Sequence, residues 1–165
     1  MFKLTKMFWD SKSQIAYEYA KRQSLECSTF WVKTNSLDNF VAGFISIAEL
    51  LNIGLTDRQN AREKLDTIKA YLESNLSGSW LIVLDEADEK ELFLGQSRLL
   101  EYLPQAEHGR ILITTRDSRI AGLADGQVAP APNGVCVGPF PTEGVELFHK
   151  YVRHDLVENY SAHEI

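Results

Sequence analysis

Apolar and polar positions along the chain change period several times, and each change marks an element. In residues 13–23, Ile15, Ala16, Tyr19 and Ala20 share one helical face and Lys21 and Arg22 suit a helix carboxyl end, so the segment reads as a helix. Thr29, Phe30, Trp31 and Val32 are β-formers, and Lys33-Thr34-Asn35-Ser36 follows them, which predicts a strand and then a helix capped by Ser36. Residues 40–51 carry apolar side chains around most of the circumference and predict a well-buried helix ended by Asn52 and Gly54. Thr56 and Gln59 have capping-box spacing ahead of Ala61, Leu65, Ile68, Leu72 and Leu76. Their spacing of three and four predicts an amphipathic helix closed by Ser77-Gly78. Trp80-Leu81-Ile82-Val83-Leu84 has no alternation, as expected of a strand buried on both faces.

Beyond that run the pattern predicts a polar stretch over residues 87–91 and a helix over about residues 96–103, stopped by Pro104. Gly109-Arg110-Ile111-Leu112-Ile113-Thr114-Thr115-Arg116 is a second strand-like run, apolar first and polar at its exit. Residues 2–8 alternate weakly and give a poorly supported first strand. Between Gly122 and Gly138 the chain reads as loop, with a short strand at residues 135–137. Thr142 then caps a last helix that carries Val145, Phe148 and Val152 on one face. Strands separated by helical segments predict an α/β fold: a mostly parallel sheet covered by helices on both faces, its first strand weak or missing.

Composition narrows this picture. A chain of 165 residues, 44% hydrophobic and 24% charged, fits one globular domain with a single core. The net charge is −6 and no run of Lys and Arg exceeds two residues, which argues against nucleic acid as a partner. Cys27 and Cys136 match no metal-ligand spacing and read as buried thiols of a reducing compartment. Neither a secretory leader nor a membrane span is indicated, so a cytoplasmic location without membrane contact is expected. His108, His149, His154 and His163 form no metal or triad spacing and read as surface residues, while Trp31 and Trp80 are expected in the core.

The candidate chemistry begins where the apolar run ends, at Asp85-Glu86. Carboxylates cannot be buried unpaired, so they belong where the strand emerges, at the sheet edge where open α/β folds bind ligands. Adjacent acids there suit a hard cation: one serves as a direct or water-mediated Mg²⁺ ligand and the other orients a water. That is the arrangement of a Walker B strand in a P-loop ATPase; the bland alternative is a strand exit that caps the next helix or stays solvated. Lys12-Ser13 opens the first helix, where helix amides, a Lys and a hydroxyl have the chemistry to hold phosphate and Mg²⁺. Lys33-Thr34 is a second such dipeptide, but it ends a strand and has a separate cap behind it.

At this point the chain resembles the NB-ARC or NACHT-like ATPases of the STAND class, in particular the nucleotide-binding domains of fungal NLR-like proteins. The likeness lies in Lys12-Ser13-Gln14-Ile15-Ala16-Tyr17-Glu18-Tyr19-Ala20, in Trp80 to Asp88, and in Gly109 to Asp117. Gly138-Pro139-Phe140 followed by Glu143-Gly144-Val145-Glu146-Leu147-Phe148 looks like a further block of the family. The resemblance implies a P-loop NTPase-like three-layer sandwich that binds ADP at rest and exchanges it for ATP on activation. It implies that Lys12 binds phosphate, Ser13 holds Mg²⁺, Asp85 holds Mg²⁺ through water, Glu86 orients the attacking water and Arg116 senses the γ-phosphate. For Arg116, a surface ion pair with Asp117 or Glu86 is the alternative. The implied partners are nucleotide and other NLR-type subunits or effector domains, and the family's helical and winged-helix subdomains are expected beyond Ile165.

One stretch departs from the family pattern. The family has glycines before the Lys, since Gly tolerates positive φ and lets backbone amides approach phosphate. Here Phe8-Trp9-Asp10-Ser11 stands in that place. Trp9 is bulky, and the charge of Asp10 beside a phosphate would cost on the order of kcal/mol. Two readings follow: a switch domain with at most slow ATP hydrolysis, or a nucleotide-free relative that keeps the fold for protein contacts. A small P-loop kinase is a distant third, because no Arg-rich lid is present to clamp a second phosphate substrate.

Overall fold

In the computed structural model, residues 11–93, 95, 99–117 and 119–120 are described. The expected strands at residues 2–8 and 135–137, the expected loop over residues 122–138, the helix after Thr142 and residues 96–98 of the helix expected over 96–103 lie outside the described residues. The order of elements is α1 (Ser11–Gln23), β1 (Ser28–Lys33), α2 (Leu37–Leu50), α3 (Ala61–Glu73), β2 (Trp80–Asp85), α4 (Lys90–Phe93), a 3-10 turn (Leu99–Tyr102) and β3 (Gly109–Ile113). The three strands form a parallel sheet in the order β1-β2-β3, with Ser28 opposite Trp80 and Trp80 opposite Gly109. Every residue of β2 is buried, as the unbroken apolar run requires of a central strand.

Side chains alternate across this sheet and separate two packed faces. Phe30, Val32, Ile82 and Leu84 meet Phe40, Phe44 and Ile47 of α2 and Leu65, Ile68 and Leu72 of α3 on one face. On the other, Leu81 and Val83 meet Ala16 and Ala20 of α1. The architecture is therefore α/β, with a parallel sheet between helical layers. Two close approaches fix the spacing. A Cβ on Gly43 would stand 2.7 Å from Val32 Cγ1, and one on Gly109 would run into the indole of Trp80. Glycine in β3 thus makes room for the largest core side chain, whose Nε1 donates to the Leu72 carbonyl at 2.9 Å.

Local chemistry accounts for the element ends. Ser36 caps α2 by accepting from Asn39 N at 3.1 Å, and Asn52 takes the left-handed conformation just beyond the helix, at φ 54°. Several expectations are corrected. The cap of α3 is Asn60, in a reciprocal box with Glu63, whereas Thr56 and Gln59 form a separate turn. α3 ends at Glu73, so Leu76 is left exposed. A four-residue helix starts at Lys90, inside the expected polar stretch, and a 3-10 turn, Leu99–Tyr102, stands in the described part of the helix expected over residues 96–103. Only Ala16 and Ala20 of the α1 face are buried; Ile15 and Tyr19 are exposed. On α2, Leu37 and Leu50 are exposed as well, so that helix is buried on one side.

Trp80 is 1% exposed, but Trp31, on β1 at the end of the described sheet, is 36% exposed, its ring 6.4 Å from that of Tyr17. His108 is half-buried, its Nε2 being 3.1 Å from Ser77 Oγ and 3.2 Å from the Leu72 carbonyl. Cys27 is half-buried and free. Among the described residues no helix is long and apolar enough to cross a membrane.

Candidate functional site

Strand register sets Val32, Leu84 and Ile113 abreast, so Lys33, Asp85 and Thr114 follow side by side at the same end of the sheet. By alternation Asp85 falls on the α1 face, with Leu81 and Val83. The first turn of α1 lies at this end, because Ser13 Oγ donates to Asp85 Oδ1 at 2.8 Å. Amino-terminal helix amides carry partial positive charge, and no acidic side chain occupies the first turn of α1. Lys12, half-buried, precedes Ser13 in that turn. The structure thus brings Lys12, Ser13 and Asp85 to one place.

Asp85 is only 6% exposed and is held from three elements. Besides Ser13, Thr114 Oγ1 donates to Oδ1 at 2.5 Å. Its main-chain carbonyl accepts from Thr34 N at 2.8 Å and from Thr34 Oγ1 at 2.7 Å. A carboxylate can only accept, so two hydroxyl donors on one oxygen compensate its burial. Glu86 differs: it is exposed, and it sits at φ 60°, a left-handed conformation unusual for a residue with a Cβ. Its N–H donates to Thr114 Oγ1 at 3.1 Å, which secures the turn.

Arg116 is brought to the same end of the sheet but engages Asp88, in place of the Asp117 or Glu86 partners expected of a surface pair. Its Nε is 3.6 Å from Asp88 Oδ2 and its N–H donates to Asp88 Oδ1 at 2.6 Å. Thr115 Oγ1 donates to the Ala87 carbonyl at 2.7 Å, so Thr114, Thr115 and Arg116 follow the exit of β2 step by step. Asp117 pairs instead with Arg119, whose Nη2 is 2.8 Å from Oδ2. The hydrogen bond from Arg119, with its charge and that of Lys90, holds the Asp117 carboxyl well below the usual carboxylate range; the same partner raises Arg119. Asp88, Arg116, Asp117 and Arg119 line an open cleft beside the turn.

Sequence reasoning gives Thr34 no role beyond the Lys33-Thr34 dipeptide and does not single out Asp88 or Thr114. Each acts through strand register, and only the polar exit of the 109–116 run hinted at it. Among the described residues, no three His, Cys, Asp or Glu side chains converge as an all-protein metal cage requires.

The fold and this end of the sheet define a parallel α/β protein with an acid-tipped central strand facing a lysine-led helix start. No protein-family model matches the chain. It is similar to a nucleotide-binding leucine-rich repeat (NLR)-like protein of Hyaloscypha variabilis, 34% identical over 123 residues, a match covering 67% of this chain. That likeness supports an NLR-like relationship. The matched region spans 12% of the length of the Hyaloscypha protein.

Proposed function

We propose that the chain is an ADP/ATP-binding molecular-switch domain of an NLR-like signalling protein of the NB-ARC kind, with at most slow ATP hydrolysis. The observation that carries this reading is the 2.8 Å hydrogen bond from Ser13 to Asp85, residues 72 positions apart. It joins the start of α1 to the tip of β2, so groups suited to the phosphates of a nucleotide and groups suited to its cation stand next to one another. In this reading Lys12 and the α1 amides bind phosphate, and Ser13 and Asp85 hold Mg²⁺, Asp85 through a water. Mg²⁺ suits such a site, because it takes one or two protein oxygens and completes its shell with waters and phosphate oxygens. When bound it would neutralise charge on the β- and γ-phosphates.

Glu86 would orient the attacking water from its outward position on the turn. Arg116 would sense the γ-phosphate, exchanging part of its contact with Asp88 for it. In the whole protein, effector domains or other NLR-type subunits would read the nucleotide state, in the cytoplasm.

A second reading, a nucleotide-free scaffold for protein contacts, is favoured by Trp9 and Asp10 where the family has glycines. Calorimetric titration with ADP and ATP, with and without Mg²⁺, separates the two. The chain is compared with a version carrying a glycine-rich loop at residues 8–11. The switch reading expects the restored loop to strengthen binding and Lys12→Ala to abolish it. Absence of binding in both versions would remove the phosphate role of Lys12 and leave the scaffold.

A further inference from the structure

We propose that Thr114 is the positioning residue for both acids of the site, a role that rests on the nucleotide-binding reading above. Its hydroxyl is used twice. Oγ1 donates to Asp85 Oδ1 at 2.5 Å and accepts the N–H of Glu86 at 3.1 Å. An ionised carboxylate can only accept and an amide N–H can only donate, so the two partners fix the direction of both bonds. Thr114 is buried, and little water competes for the hydroxyl.

The main chain of Thr114 extends the grip. Its N–H donates to the Leu84 carbonyl at 2.9 Å, and its own carbonyl accepts from Ala87 N at 2.9 Å. One residue of the β3 exit therefore touches four consecutive residues, Leu84 to Ala87, and its hydroxyl serves the two in the middle. Ser13 donates to the same Oδ1, so both described hydrogen bonds to the carboxylate end on one oxygen. Among the described residues nothing donates to the second oxygen, whose lone pairs can take a water of a hydrated cation. The amide bond stabilises the left-handed turn that sends the Glu86 side chain outward. Thr34, the other buried threonine here, directs both its hydroxyl and its N–H to the Asp85 carbonyl and, among the described residues, orients neither carboxylate in this way.

The test compares the 165-residue chain with Thr114→Val, which keeps the shape without the hydroxyl, and Thr114→Ser, which keeps the hydroxyl. Thr114→Ala serves as the hydroxyl-free variant should the valine variant not fold. Amide exchange read by NMR without nucleotide is expected to quicken at Glu86 by about tenfold in the hydroxyl-free variant. Ala87, bonded to a carbonyl, should keep its rate, and Thr114→Ser should stay close to the parent at both positions.

With ADP, the gain in affinity on adding Mg²⁺ should fall by about tenfold without the hydroxyl and persist in Thr114→Ser, while Mg²⁺-free binding is unchanged. Parental Glu86 exchange in the hydroxyl-free variant overturns the proposal. So does a parental Mg²⁺ gain in that variant. If the parent shows no Mg²⁺-dependent ADP binding while Glu86 exchange still responds to the hydroxyl, the nucleotide reading fails and the positioning of the acids by Thr114 stands.

Discussion

Glu86 carries backbone strain at the point where the candidate chemistry is concentrated. A left-handed residue with a Cβ costs about 1–2 kcal/mol, part of which glycine would return in its larger unfolded-state entropy. Glu86→Gly is therefore expected to raise stability by about 0.5–1 kcal/mol, and the β-branched Glu86→Val to lower it by more, as read from urea midpoints. An unchanged midpoint in the glycine variant would mean that the turn is unstrained. Asp117 gives a second expectation at this scale. Its folded-state pKa lies below its unfolded value, so its contribution is present above the ordinary carboxylate range near about 4 and is lost as pH falls below it. The stability difference between the chain and Asp117→Asn should stay constant from neutral pH down to about pH 5 and narrow steadily at lower pH, as followed by acid unfolding. Asp85 and Glu86 were legible in the sequence because an apolar run that stops at two acids has few physical outcomes. Thr114 and Asp88 were not, since their roles depend on the register of β2 against β3, and a slip by one residue would put Thr115 opposite Asp85 on the other face.

Elements were legible where one period dominated and less so where two cap signals competed. Thr56 and Gln59 carry the same spacing as Asn60 and Glu63, and a pattern alone does not rank two capping boxes four residues apart. In the fold the first pair closes its own turn, Gln59 Oε1 accepting from Thr56 N at 2.8 Å, while Gln59 Nε2 donates to the Thr67 hydroxyl in mid-helix at 3.0 Å and leaves the first amides of α3 uncapped. The second serves the helix from both sides, with Glu63 N donating to Asn60 Oδ1 at 3.0 Å and Asn60 N to Glu63 Oε2 at 2.8 Å. Asn60→Ala should accordingly cost about 1 kcal/mol and lower the melting temperature by a few degrees, whereas Thr56→Ala should change it much less. Trp31 was misplaced for a related reason: β-propensity marks a strand without saying how deeply each side chain is buried. The fit of Trp80 against Gly109 was invisible to periodicity, because it joins residues 29 positions apart through strand pairing. Gly109→Ala forces a methyl group into the indole, and a loss of about 1–3 kcal/mol is expected, with a blunted Trp80 near-ultraviolet signal as the indole is displaced.

At the scale of the whole molecule, the two faces of the sheet are held unequally. α2 and α3 lie on a broad core that includes Phe40, Phe44, Ile68 and Leu72, whereas α1 meets Leu81 and Val83 mainly through two alanines. Among the described residues little apolar area secures α1 to the sheet, and its first turn is tied across by the bond from Ser13 to Asp85. A ligand that engages Lys12, Ser13 and Asp85 together would bridge the weakly held helix to the strongly held strand. Stabilisation by such a ligand follows mass action and reaches about 2.7 kcal/mol at a hundred times its dissociation constant. The gain should also be uneven, because local opening is governed by the least stable unit. Hydrogen exchange followed with and without Mg²⁺-ADP is therefore expected to slow across Ser11–Gln23 and around residues 85–87, with little change in Ala61–Glu73. Uniform slowing would place the ligand elsewhere on the molecule. No slowing at millimolar nucleotide, combined with a glycine-rich loop that also fails to produce it, would mean that this end of the sheet serves protein contacts and that the bond between Ser13 and Asp85 is a structural clasp.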